Sequence, residues 1–249
     1  MATTSKSMSY SFVILFVYFI NWQRKISVEE LNGQRVVVKR NKPTKEFNEF
    51  LLICMYSLIS MILAHPTAPP ALTEIMRNEG RKMRKNLEKI GISTPKLISI
   101  SDFDLIEEYV EGGDLYMAIA SGLSAKLAFC AGCLTGKLHM AGYTFVDNKA
   151  QNYLVKGDSV IRTDLGFIQI SDSHYSRSMD IGSFLASVMD LARYREVEKA
   201  FHDGYISECK RKFSFVSIIL RNVLSLGFSS DSRITLRNMV LDSTMLIDV

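Results

Sequence analysis

Cysteine is scarce in this chain, with four residues in 249. That is too few to staple a fold of this size, so a disulfide scaffold is excluded and a reducing compartment, the cytoplasm, is the default expectation. A large excess of one charge is also missing. Thirty basic against 26 acidic side chains leave a formal +4, which tolerates an anionic ligand but does not mark a nucleic-acid binder, so nucleic acid is expected to matter only indirectly. Apolar residues at 47% and charged residues at 22% exclude collagen-like, low-complexity and largely disordered chains. No apolar run reaches the roughly 20 residues of a membrane helix. Phe12 to Ile20 and Leu51 to Ala64 are the longest. Two readings stay open for them: a buried strand and a buried helix, or membrane contact through residues 10–22 or 51–64. A signal peptide would need a small-x-small cleavage pattern, and Asn21-Trp22-Gln23-Arg24-Lys25 follows the first run instead. Glycine is absent until Gly33.

Val28 to Leu31, Asn32-Gly33 and Arg35 to Lys39 read as a hairpin, because Asn-Gly accepts the positive φ of a two-residue turn. Residues 47–64 read as a buried helix, His65 to Ala71 as a proline-rich loop, and residues 73–90 as a helix stopped by Gly91. Lys96 to Ile100 and Leu105 to Val110 suggest a second hairpin. A link at 109–114 follows, then a mostly helical remainder interrupted by short strands at 153–156 and 160–163. The expected architecture is α+β: a smaller part over residues 1–110 and a larger, mainly helical part over 111–249.

The stretch that carries chemistry is Phe145 to Gly166. Asp147 and Asn152 stand five apart with Lys149 between them, and Asp164 follows beyond a small hairpin, before Leu165-Gly166. Phosphoryl transfer to an alcohol needs a carboxylate to take the hydroxyl proton and oxygen ligands for magnesium on the nucleotide phosphates. Those residue types in that order supply both. The same residues also suit an ordinary solvated loop with Asx turns.

Lys137-Leu138-His139-Met140-Ala141-Gly142-Tyr143, Phe145-Val146-Asp147, Asn152, Asp164-Leu165-Gly166 and Asp180 together resemble the protein-kinase-like superfamily. The closer resemblance is to the small atypical RIO-type kinases and the kinase of the KEOPS tRNA-modification complex. Asn78-Glu79-Gly80-Arg81 and Leu105 to Leu115 are similar to that group's helix-αC region and hinge, and the whole resemblance runs over about residues 28 to 205. It implies a two-lobed fold, with a β-rich N-lobe carrying the inserted 47–64 helix and a helical C-lobe. It implies ATP and magnesium as cofactors and a protein Ser/Thr hydroxyl as acceptor. A small-molecule kinase, or a catalytically weak scaffold with the same fold, remains open beside it. By position, Asp147 is the implied base and Lys149 its phosphate-side partner, while Asn152 and Asp164 are the metal ligands. Lys39, Glu79, Glu108 and Val110 are the implied ATP-binding positions, with Glu74 competing with Glu79 as partner of Lys39, and Asp180 anchors the loop.

Three departures stand out. His-Arg-Asp is Phe145-Val146-Asp147 here, the activation segment is short (sixteen residues from Asp164 to Asp180), and a glycine-rich loop before Lys39 is missing. Cys130 and Cys133 share one helix face and read as core rather than zinc or redox chemistry, and His139 as a packing or hydrogen-bonding residue rather than a ligand. Arg77, Arg81, Lys82, Arg84, Lys85 and Lys89 read as a solvated helix face, with a partner or RNA contact as the sharper alternative.

Overall fold

Asn32 and Gly33 decide the first pairing. Both adopt positive φ, 53° and 75°, the geometry whose twist matches that of the flanking strands. They join β1 (Arg24–Leu31) to β2 (Gln34–Asn41), with Leu31 opposite Gln34 and Arg24 opposite Asn41. The computed structural model describes residues 24–41, 72–101, 104–122, 125–228 and 231–245. The apolar run at 12–20, the helix expected over 47–64 and the proline-rich loop lie outside the described residues. β2 pairs antiparallel with β4 (Asp104–Glu108), and β4 with β3 (Leu97–Ile100), so the sheet order is β1-β2-β4-β3.

The single helix expected over 73–90 is two helices, α1 (Leu72–Glu79) and α2 (Arg81–Lys89). Gly80 causes the break: it is extended, with ψ 172°, and periodicity of side chains does not register one non-helical backbone. Gly91, at φ 77°, ends α2. The N–H of Ile92 donates to the carbonyl of Leu87 and that of Gly91 to Glu88, both at 2.9 Å, which satisfies the last turn.

The chain then crosses a link docked on the hairpin of residues 153–162, where Val155 N–H donates to the Gly113 carbonyl at 2.9 Å. A Cβ on Gly112 would stand 2.2 Å from the Val155 carbonyl oxygen, so this crossing requires glycine. α3 (Leu115–Ala120) starts at Asp114, whose carboxylate accepts from Met117 N–H. α4 (Lys126–Met140) follows. β5 (Tyr143–Thr144) pairs with β8 (Gln169–Ile170), and β6 (Tyr153–Lys156) with β7 (Ser159–Arg162). The β5–β8 pair goes beyond the sequence expectation, since two-residue strands show no alternation. α5 (His174–Ser187), α6 (Tyr194–Cys209), α7 (Phe215–Phe228) and α8 (Ser232–Met245) complete the described chain. The fold is α+β, a small antiparallel sheet followed by a mainly helical part, and is compatible with a two-lobed kinase-like arrangement.

The main core lies in the helical part, around Leu138, Phe145, Tyr153, Leu165, Phe184, Tyr194 and Phe201. Phe184 and Phe201 stack with ring centres 3.9 Å apart. α4 and α6 touch backbone to backbone at two glycines. A Cβ on Gly132 would lie 2.1 Å from the Phe201 carbonyl oxygen, and one on Gly204 would lie 2.1 Å from that of Phe129. Gly132→Ala should therefore destabilise the protein by roughly 2–3 kcal/mol through overpacking, read as a lower denaturant midpoint.

Candidate active site

The strand register places the first site group. Lys39 is opposite Leu105 and Val37 opposite Glu107, so Lys39 and Glu107 are diagonal neighbours on one face, within reach of long side chains. The Lys39 ammonium sits 2.7 Å from the Glu107 carboxylate and donates to the Thr163 hydroxyl at 2.9 Å; that hydroxyl donates to Glu107 at 3.0 Å. Arg84 joins the other Glu107 oxygen at 3.0 Å and Glu79 at 3.3 Å. Lys39, Glu79, Arg84 and Glu107 are all buried. Two cations and two carboxylates thus balance in a dry place where an isolated charge is costly.

Burial disfavours the Lys39 ammonium, but Glu107, Glu79 and Asp164 outweigh it and hold its pKa above the ordinary lysine value. Burial likewise pulls the Glu107 carboxyl upward, and Lys39 with Arg84 holds it below the usual carboxylate range. Glu79 contributes to the field on Lys39, while its own ion pair, at 3.3 Å, is with Arg84. Glu74, its competitor, pairs with Arg77 at 3.2 Å on the exposed side of α1.

Asp164 lies at the far side of this cluster, next to Thr163. Its backbone is left-handed, φ 56°, a conformation that Asp tolerates better than most residues. α1 clamps the segment. Leu165 N–H donates to Glu79 at 3.2 Å, and the Asn78 amide donates to the carbonyls of Gly166 (3.0 Å) and Ile168 (2.8 Å). A Cβ on Gly166 would stand 2.7 Å from Ile75, so the helix needs that glycine to approach.

Asp147 is presented by a tight three-residue turn. Its N–H donates to Phe145 carbonyl at 2.8 Å around Val146, at φ 66°. Positive φ on a β-branched residue is strained, and Asp180 holds it there. The buried Asp180 carboxylate accepts from the N–H groups of Phe145 (2.7 Å) and Val146 (2.6 Å) and lies 3.0 Å from His139 Nε2. His139 Nδ1 meets the Tyr205 hydroxyl at 3.0 Å, so both ring nitrogens of this buried residue have hydrogen-bond partners.

The Asn152 amide donates to the Asp147 carbonyl at 2.8 Å and to its carboxylate at 3.2 Å. The Lys149 ammonium lies 3.1 Å from the other carboxylate oxygen. Arg162, stacked on the rings of Phe145 and Tyr153, also donates to the Asp147 carbonyl, at 2.8 Å. Thr163 N–H donates to the Asn152 carbonyl at 3.0 Å, which connects the Asp147 loop to the Asp164 segment.

Lys39, Glu79, Asp147, Lys149, Asn152 and Asp164 are therefore joined through one continuous network. Glu108 is the last residue of β4, next to Glu107, and Val110 lies in the link that follows. Glu108 N–H donates to the Lys96 carbonyl, and its carboxylate pairs with Lys156 at 3.3 Å. Asn152 turns its amide nitrogen to Asp147, leaving a carbonyl oxygen, and Asp164 adds a carboxylate. This hard, oxygen-only pair suits magnesium, which keeps its other positions for water and phosphate. Among the described residues no group of three His, Cys, Asp or Glu converges on a metal position. Burial pushes the Cys133 thiol upward, away from thiolate chemistry, and its sulfur lies 3.5 Å from the Ser207 hydroxyl.

One member of the basic cluster needs correction. Arg77, Arg81, Lys82, Lys85 and Lys89 are exposed, but Arg84 is buried in the ion network. It lies three residues before Leu87 on the inward face of α2, and that spacing was the available signal. Glu107, also passed over, shares the inward parity of Leu105 in β4.

Over 134 residues, 53% of the chain, it is 30% identical to a probable bifunctional tRNA threonylcarbamoyladenosine biosynthesis protein of Methanosarcina barkeri, spanning 24% of that protein. The Methanosarcina mazei counterpart is 30% identical over 132 residues, spanning 23% of its length. The EKC/KEOPS complex subunit BUD32 of Encephalitozoon cuniculi is 29% identical over 133 residues, 66% of its length. The chain is similar to Bud32. The match spans only about a quarter of the two Methanosarcina proteins, and no family model matches the chain.

The Glu107 carboxyl gives a pH signature. Its folded pKa lies below the unfolded value of 4.5, so its stabilisation is complete above that value and is lost as the pH falls through the folded one. Stability should therefore drop as the pH falls below about 4.5, and Glu107→Gln should start lower and show a shallower drop, measured by denaturant midpoints. Arg84→Met, which leaves two buried carboxylates facing one lysine, should cost about 3 kcal/mol at neutral pH by the same measurement.

Proposed function

We propose that this chain is a Bud32-type atypical kinase that transfers the γ-phosphate of ATP, with magnesium, to a Ser or Thr hydroxyl of a protein. The observation that carries the reading is the single network linking Lys39, Asp164, Asn152 and Asp147, which come from β2, the segment after β7 and the loop between β5 and β6. ATP supplies the transferable group, and magnesium supplies positive charge along its phosphates.

Lys39 presents a fixed ammonium to the α- and β-phosphate oxygens. Asn152 and Asp164 offer the metal its protein oxygens. Asp147 receives the acceptor hydroxyl proton as the new phosphorus–oxygen bond forms and ADP departs. Lys149, held 3.1 Å from that carboxylate, offsets its charge and that of the incoming phosphoryl group. The names of the relatives support a setting in which the chain works inside a multi-subunit complex serving tRNA modification, meeting nucleic acid through that assembly. Scarce cysteine supports a cytoplasmic location. No helix among the described residues is long and apolar enough to cross a membrane.

The test is transfer of label from γ-labelled ATP to protein and to small-molecule acceptors. Wild type should label protein, and Asp147→Ala and Asp164→Ala should each reduce the rate by about 100-fold or more. Label on small molecules alone would overturn the protein acceptor. If wild type showed neither transfer nor ATP hydrolysis, the kinase reading would be overturned.

A further inference from the structure

The kinase reading assigns Lys39 to phosphate oxygens, and the inference here rests on that assignment. We propose that Glu107 is a positioning residue for Lys39, backed by Arg84, so that it acts on bound phosphates only through the lysine.

Glu107 occupies an inward strand position, 1% exposed, where alternation ordinarily puts an apolar side chain. Both its oxygens are engaged, one by Lys39 and the Thr163 hydroxyl, the other by Arg84. A carboxylate so occupied is turned to its protein partners rather than to a ligand.

What the arrangement achieves follows from lysine chemistry. Lysine is a point charge on a flexible four-carbon stem, and it orients a phosphate only when something fixes the charge. Glu107 and Thr163 hold the ammonium from two sides, one residue away from Asp164 along the chain. Phosphate-binding charge and metal-binding carboxylate are thereby kept at a set separation. Arg84 permits this by standing between Glu79 and Glu107, so two carboxylates coexist beside one lysine. Glu79 remains available to hold Leu165 N–H, and each carboxylate has a separate task.

A purely structural Glu107 would affect every ligand of the site alike. A positioning role through Lys39 affects only ligands with phosphates. The experiment measures affinities for Mg-ATP and for adenosine by competition with a fluorescent ATP analogue. It uses wild type, Lys39→Met, Glu107→Gln and the double variant Glu107→Met with Arg84→Met. The double variant removes one charge of each sign, so it guards against a single variant that does not fold.

Glu107→Gln and the double variant should each weaken ATP about tenfold, in the direction of Lys39→Met, and leave adenosine within about twofold of wild type. Three results would overturn the proposal. If both Glu107 variants bind ATP like wild type while Lys39→Met does not, Glu107 has no positioning role and the kinase reading stands. If ATP and adenosine weaken equally, the effect is structural. If wild type binds neither, the nucleotide reading falls and this inference with it.

Discussion

Four buried charges hold the two parts of this structure in relation to each other. Lys39 comes from β2, Glu79 from α1, Arg84 from α2 and Glu107 from β4. Thr163 brings the helical part into the same set. None of these groups is stable in a dry environment alone, and removal of one leaves another without its counter-charge. The sheet, both helices and the Asp164 segment are consequently fixed as a unit. A purely apolar contact here would tolerate sliding, because it has no preferred direction. The ion set does not, and the chemistry proposed for the site needs that rigidity.

A second regularity lies in how the strained residues are held. Val146 and Asp164 both have positive φ, and each lies at or beside a proposed reactive carboxylate. In both places a buried carboxylate from another element accepts nearby backbone N–H groups: Asp180 those of Phe145 and Val146, Glu79 that of Leu165. The strain is local, and its compensation comes from helices α5 and α1. Asp147 is further constrained through its carbonyl, which takes donors from both Asn152 and Arg162. The loop is thus set from its backbone outward, and the side chains at its rim inherit their directions.

The legible part of the sequence was that in which local chemistry alone dictates conformation. Asn32-Gly33 announced its turn, Gly91 its helix end, and the residues between Asn152 and Asp164 their short hairpin. The break at Gly80 was not legible, because α1 and α2 keep compatible apolar spacing on either side of one extended residue. Glu107 and Arg84 were obscured for a different reason: charged side chains are read as solvated unless their partners are known. Those partners lie 68 and 23 residues away, at Lys39 and between the two residues themselves. Strand parity at Leu105 and Glu107, and the spacing of Arg84 to Leu87, carried the information in weaker form.

The most direct test of this account is a crystal structure with a non-hydrolysable ATP analogue and manganese, whose anomalous signal locates the metal. Manganese is expected on the Asn152 and Asp164 oxygens, with the analogue's phosphates against the Lys39 ammonium and Glu107 still behind it. A nucleotide bound elsewhere, or a metal held away from Asn152 and Asp164, would contradict it.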